Sequence, residues 1–221
     1  MKNDKDQKQI DSRLRWVQCA ADLLLNLWIV AVTAGIVVWF FVTPERGSRL
    51  FVYFTVDSNV LCALGSLAVL ICRLCPKYRR RVPRPVLLLK MTGTAAVALT
   101  FLVVLLFLGP FAGYGRMYDS YNLHMHLVTP LCAVVSFLLL DGEGTYSRRE
   151  ALLGGIPAAV YGIVYFVQVI VRGQANGGWS DFYRFNMFGL WPVSGIAVIG
   201  GAFGLSLLLR VLFQRIRKTE G

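Results

Sequence analysis

Charge is what this sequence is short of. Asp, Glu, Lys and Arg make up only 16% of its 221 residues, hydrophobic residues make up 56%, and the mean hydropathy is +0.59. A soluble domain needs a charged surface, and this composition cannot cover one. Acids are the scarcer sign, 12 against 23 basic residues for a net charge of +11. The bases sit in short stretches between apolar runs, where they face lipid headgroups and set topology, so no nucleic-acid partner is expected. Histidine is rarer still, with His124 and His126 alone. The five cysteines (Cys19, Cys62, Cys72, Cys75, Cys132) lie inside or beside apolar segments, which argues against a disulfide framework. Cys72 and Cys75 form a CxxC with no second pair and no His cluster beside it, a better fit to reversible acylation than to a metal. No metal and no cofactor is expected.

What the chain has in abundance is long apolar runs. Six are long enough to span a bilayer at ~20 residues per pass, at about 16–42, 50–74, 86–108, 123–140, 151–171 and 187–213. Thr43-Pro44, Cys75-Pro76, Gly109-Pro110 and Asp141-Gly142 punctuate four of them. The reading is an all-α integral membrane protein: a polar tail over 1–15, a single six-helix transmembrane domain over 16–214, and a short basic tail over 215–221. The run after the first tail is too long for a cleavable signal peptide. Gly154, Gly155, Gly162, Gly200, Gly201 and Gly204 suit close helix contacts in lipid.

Lys and Arg fix the expected orientation. The N-terminal tail, the 73–84 and 142–149 loops and the C-terminus hold 17 of them, and the three opposite loops hold 5. Both termini are therefore expected on the cytoplasmic side of the plasma membrane. Lys90, the remaining cation, is placed to snorkel toward that side from the third helix.

This topology gathers scattered polar residues at one outer layer. The second helix enters with Thr55, Asp57, Ser58 and Asn59, the fourth with His124 and His126, and the segment before the sixth carries Trp179, Asp181, Tyr183 and Asn186. Polar groups at membrane depth face the bundle interior, so a polar cavity toward the outer leaflet is expected. At about 100° per residue, Thr55, Ser58, Asn59 and Cys62 share a face while Asp57 points away. His126 aligns with Thr129, Pro130 and Ala133, which favours it over His124 as the inward histidine. Each residue also has an ordinary structural reading: a transmembrane Thr bonds its own i−4 carbonyl, an entrance His makes an interhelical bond, and Asp57 is a charge in a helix first turn. Asp22 and Asn26 read as a packing pair in the first helix, or as a hint of a proton-coupled carrier.

The stretches Tyr53-Phe-Thr-Val-Asp-Ser-Asn59 and His126-Leu-Val-Thr-Pro130, with the aromatic Trp179-Ser-Asp-Phe-Tyr183 before the last span, carry a resemblance. The chain resembles the androgen-induced-gene family of multi-pass membrane proteins and its bacterial relatives, often labelled Pr6Pr family membrane proteins. Animal members of that family are intramembrane threonine hydrolases that cleave fatty acid esters of hydroxy fatty acids. The resemblance implies Thr55 as nucleophile and His126 as base. The spacing from His to Pro differs by a residue from the animal pattern, and Asp57 stands where bacterial relatives often show Gln. The chemistry is coherent, since a threonine hydroxyl needs a neighbouring base and histidine supplies one near neutral pH. Ser58, Asn59, Asp57, His124, Trp179, Asp181 and Tyr183 are the candidates for substrate contacts or oxyanion donors. Phe54, Leu127 and the sixth helix are expected to line an acyl-chain cavity. The expected partners are membrane lipids and a lipid-like acyl substrate. The alternatives are a small-molecule or ion transporter, or a non-catalytic binding protein, using the same cavity.

Overall fold

The computed structural model describes residues 2–43, 47–78, 81–140 and 145–219. Six helices follow in chain order: α1 (Lys2–Val42), α2 (Phe54–Leu74), α3 (Arg84–Ala112), α4 (Tyr121–Leu139), α5 (Arg148–Arg172) and α6 (Trp191–Thr219). Each contains a stretch long and apolar enough to cross a membrane, and the described residues contain no strand. The protein is an all-α, six-span integral membrane protein. Both terminal tails prolong helices: α1 runs back unbroken through the polar tail to Lys2, and α6 runs on through the basic tail to Thr219. The start expected at 187 for the last helix belongs instead to a separate 3-10 turn, Met187–Gly189. At the second helix, a 3-10 turn over Gly47–Val52 precedes an extended Tyr53, and α2 begins at Phe54. The stop expected at Asp141-Gly142 lies outside the described residues.

The helix α3 is central, packed against α2, α4, α5 and α6. Its tightest crossing is with α2. A Cβ on Gly65 would sit 2.9 Å from Lys90 Cα, and one on Gly93 would sit 2.6 Å from Cys62 Cα. Two glycines facing opposite ways across the seam let the backbones touch, which is how helices associate where lipid offers no hydrophobic drive. Gly154 and Gly155 of α5 instead make room for side chains of α6, Ser206 and Phe203. Gly162 makes only ordinary contact with Ile199, and nothing lies within 4 Å of a Cβ built on Gly200, Gly201 or Gly204. Those last three are not packing contacts within the bundle.

One end of the bundle is basic and tied down. Arg84 reaches Glu150 through both oxygens, Nε to Oε1 at 2.8 Å and Nη2 to Oε2 at 2.6 Å, while its guanidinium lies 4.7 Å from the centre of the Tyr146 ring. Ser147 and Glu150 close a capping box at the start of α5. Beneath, Phe137 stacks on Phe213, and the Tyr146 ring meets Phe213 edge-on. The other end carries the N-termini of α2, α4 and α6, and is called the site end below.

Helices α3 and α4 share a local device. Both contain a wide π turn, Val104–Leu108 and His124–Val128, followed two residues later by proline, at Pro110 and Pro130. A proline ring collides with the carbonyl four residues back, and a wider turn makes room for it. This is why Gly109-Pro110 does not end α3, which continues to Ala112. In both turns one i→i+5 bond closes, Gly109 N–H to Val104 O and Thr129 N–H to His124 O. The next donor in each pattern would be the proline nitrogen, which has no hydrogen. The carbonyls so released, Leu105 O and Met125 O, are taken by side chains instead: Tyr114 Oη at 2.7 Å and Asn59 Nδ2 at 3.0 Å.

Candidate functional site

Those two substitute donors build the site. The Tyr114 ring packs on Gly109, where any Cβ would strike it. Gly113 (φ +87°) turns the chain into the short helix Tyr114–Met117, which puts the Met117 carbonyl over α4. Asn59 ties α2 to the π turn of α4, giving its two amide hydrogens to Thr55 O (2.7 Å) and Met125 O (3.0 Å). Between these ties stands His126, 8% exposed, with Nδ1 2.7 Å from Met117 O and Nε2 3.3 Å from Thr55 Oγ1. A carbonyl oxygen only accepts, so Nδ1 carries the proton and, in the neutral ring, Nε2 is the acceptor facing the Thr55 hydroxyl.

Thr55 is half-buried and lines a cavity of about 580 Å³ between α3, α5 and α6. Phe54, Leu99, Val103, Phe107 and Val198 make its walls predominantly apolar. Leu106 of α3 and Val193 of α6 line it as well, yet are 70% and 60% exposed, so the cavity opens sideways between those helices. The expected lining is present in Phe54 and α6; Leu127 is not part of the wall. His126 lies behind Thr55, outside the lining.

The segment before α6 folds over this cavity. Asp181 is its organiser: the carboxylate accepts from Tyr165 Oη (3.0 Å), Phe185 N (2.7 Å) and Asn186 N (2.8 Å). Tyr165 Oη in turn accepts the Tyr183 backbone N–H at 3.0 Å. The ring of Trp179 packs against Tyr161 and Tyr165. This frame aims Tyr183 into the cavity. Its hydroxyl is buried, forms no hydrogen bond, and is close enough to Thr55 and Tyr161 to feel their dipoles. Burial pushes it up to about 12, an effect that Thr55 and Tyr161 only partly offset. It therefore stays protonated and available as a donor.

The other sequence candidates separate cleanly. Ser58 Oγ is buried between Thr55 O (3.0 Å) and Thr100 Oγ1 (2.9 Å), with its one proton already placed within that pair of contacts. Asn59 has both amide hydrogens committed, leaving only Oδ1 without a partner. Asp57 is half-buried in the first turn of α2 and is not in the cavity wall. His124 packs near Trp28, ring centres 6.0 Å apart, and its Nδ1 has no hydrogen-bond partner. The residues that sequence reasoning overlooked include Met117, Tyr114, Tyr161 and Tyr165; Gly109-Pro110, near the first two, read only as a helix stop.

Lys90 departs from its expected role. It is fully buried, with Nζ 2.6 Å from Asn26 Oδ1 and 3.0 Å from Ser66 Oγ. Asn26 Nδ2 donates to Asp22 Oδ1 at 2.7 Å, and Ser136 Oγ donates to the same oxygen at 3.0 Å. The lysine does not snorkel because it has polar partners on α1 and α2 inside the bundle.

Comparison with family models, with characterised proteins and with solved structures finds no match for this chain, so the resemblance drawn above rests on its motifs and their order.

Proposed function

We propose that this protein is an intramembrane acyl-ester hydrolase in which Thr55 is the nucleophile and His126 the general base. The observation that carries the reading is the pairing of Thr55 Oγ1 with His126 Nε2 at 3.3 Å, with Nδ1 held by a carbonyl, at the wall of a lipid-open apolar cavity. An attacking hydroxyl, a base with its acceptor nitrogen presented, and a group that fixes the tautomer are the parts of a nucleophile–base–orienter array.

Thr55 Oγ1 attacks the ester carbonyl carbon as its proton passes to His126 Nε2. The Tyr183 hydroxyl donates to the oxygen that becomes negative. Collapse breaks the bond to the alcohol oxygen, which leaves with the proton from His126, and the acyl group remains on Thr55. Water then gives a proton to His126 Nε2 as it attacks the acyl-threonine. The second collapse frees the fatty acid and returns the proton to Thr55. The orienting group is the neutral Met117 carbonyl rather than a carboxylate, which stabilises the imidazolium less than an aspartate does.

In this reading the termini are cytoplasmic and the site faces the outer leaflet of the plasma membrane, supported by the 17-to-5 division of Lys and Arg. Cysteine accessibility in intact cells tests it, with residues 173–186 labelled by impermeant reagent and 81–84 protected. The reaction itself is tested with an alkyl fluorophosphonate: the adduct is expected on Thr55 and is lost in Thr55→Ala. His126→Ala abolishes labelling, while His124→Ala keeps it. Wild-type protein that neither labels nor hydrolyses any long-chain ester, in detergent or liposomes, would sink the proposal and leave the cavity as a binding site.

A further inference from the structure

The side of α6 that faces the cavity is made of small residues. Ser194, Ala197, Val198 and Gly201 recur at helical spacing along one face, and all four line the cavity. Gly201 is the deepest of them, ten residues into α6 and about 15 Å along its axis. A Cβ built there meets nothing within 4 Å, and the residue is itself exposed, at the side where the cavity opens. One turn further on along the same face the packing closes: Leu205 is partly buried and packs against the cluster of Leu99, Ala158 and Ala202. Helix α6 thus passes from an open wall to a packed one between Gly201 and Leu205. At the opposite end of the same space lie Thr55 and the buried, unpartnered hydroxyl of Tyr183. A space with a polar head, an apolar body, a side open to hydrocarbon and a foot bounded by Leu205 matches an acyl chain.

We propose that Gly201 sets the longest acyl chain this cavity accepts, with the reacting carbonyl at Thr55 and the chain running down the small-residue face of α6. The position of the carbonyl rests on the hydrolase reading; the position of the chain end does not. A side chain at 201 has room to enter the cavity without disturbing its own helix, and glycine is the poorer helix former to begin with. Gly201→Phe therefore fills the foot of the cavity and leaves the head untouched. Ala197→Phe, one turn nearer the head, sets a shorter limit.

Full-length protein in detergent is assayed on p-nitrophenyl butyrate, octanoate and palmitate. For Gly201→Phe, kcat/KM on palmitate is expected to fall by ~10–200-fold, the scale on which a hydrophobic pocket discriminates chain length, with butyrate unchanged. For Ala197→Phe, octanoate is lost as well. Equal loss on all three esters, or no change on palmitate, overturns the proposal. In parallel, palmitic acid carrying a terminal diazirine is photolysed with the wild type and both variants. Crosslinks are expected near Leu99, Ala158 and Gly201 in the wild type and displaced in Gly201→Phe. This arm needs no turnover: if the wild type hydrolyses nothing, the hydrolase reading fails while the crosslinks still decide where the chain ends. Crosslinks unchanged by Gly201→Phe, or absent from that region, overturn the inference. A variant that does not fold, judged by its thermal transition, is replaced by Gly201→Leu with the same expected pattern.

Discussion

At the residue scale, the phenol of Tyr183 is the side chain whose chemistry is best separated from its packing. The ring belongs to the aromatic group formed with Tyr161, Tyr165 and Phe182, and only the hydroxyl oxygen faces Thr55 without a partner. Tyr183→Phe keeps the ring and removes the donor. A buried hydroxyl with no hydrogen bond contributes nothing to stability and costs its own desolvation, so the variant is expected to be as stable as the wild type or slightly more so. Its kcat is expected to fall ~10²–10³-fold with little change in KM, as for other single oxyanion donors. The acid form of Tyr183, pushed up to about 12, persists throughout the working range, so the alkaline side of the rate profile is expected to be flat to pH 10. A structural tyrosine gives the reverse pattern, with lower thermal stability and unchanged kcat. Threonine 55 answers differently. Thr55→Ala is expected to cost at least ~10³-fold in turnover, the scale of losing a covalent nucleophile. Thr55→Ser keeps the hydroxyl and retains part of the rate.

At the element scale, the paired π turn and proline explain both what the sequence made legible and what it hid. The apolar runs, their number and the polar character of one end are visible because hydropathy needs only composition over ~20 residues. His126 is legible as the inward histidine because Thr129, Pro130 and Ala133, all buried, mark its side of the helix. A single wide turn leaves no such trace: a residue added to one turn of a uniformly apolar helix changes nothing in the pattern. The partners of the released carbonyls are 66 and 9 residues away in sequence, and no local signal names them. The same holds for Asn59, whose amide reads as a possible oxyanion donor until both its hydrogens are placed. Asn59→Leu leaves Met125 O buried without a donor and is expected to lower stability by ~1–3 kcal/mol. It also frees α4 from α2, so the Thr55–His126 contact and the fluorophosphonate labelling are lost with it. Adding Pro130→Ala returns an N–H at the position that the π pattern lacks. The double variant is therefore expected to recover stability, measured by thermal unfolding in detergent, without recovering labelling, because the tie that aligns α2 with α4 is still absent. Recovery of both would show that Asn59 serves only to satisfy the carbonyl.

At the scale of the whole molecule, two polar layers are separated by a dry one. Thr55, His126 and Tyr183 occupy the site end. Asp22, Asn26, Ser66, Lys90 and Ser136 form the second layer across α1, α2, α3 and α4, and between them lie Ile29, Cys62, Val97 and Ala133, all fully buried. Sequence reading found Asp22 and Asn26 as a pair but not the lysine that completes them, because Lys90 sits near a helix end where snorkelling is the ordinary outcome. Its partners Asn26 and Ser66 hold it inside instead. The formal charges of Asp22 and Lys90 cancel through Asn26, so the layer is best understood as a clasp that fixes four helices in register. Removing one charge leaves the other buried without compensation, whereas removing both leaves a neutral layer. Lys90→Met and Asp22→Asn are each expected to cost ~3–5 kcal/mol, and the double variant less than the sum, with a coupling of ~1–3 kcal/mol in a double-mutant cycle. Lys90 is ten residues from Thr100, about 15 Å along α3 from the site layer. Any variant that remains folded is therefore expected to keep its fluorophosphonate labelling on Thr55. A proton-coupled carrier built on Asp22 predicts the opposite: Asp22→Asn would leave the thermal transition in place and abolish function, and the double variant would be no more stable than Lys90→Met and would not recover transport. Measuring the thermal transition and labelling together in the four proteins of the cycle decides between a clasp and a coupling site, because only the clasp makes stability non-additive while leaving the chemistry at the other layer intact.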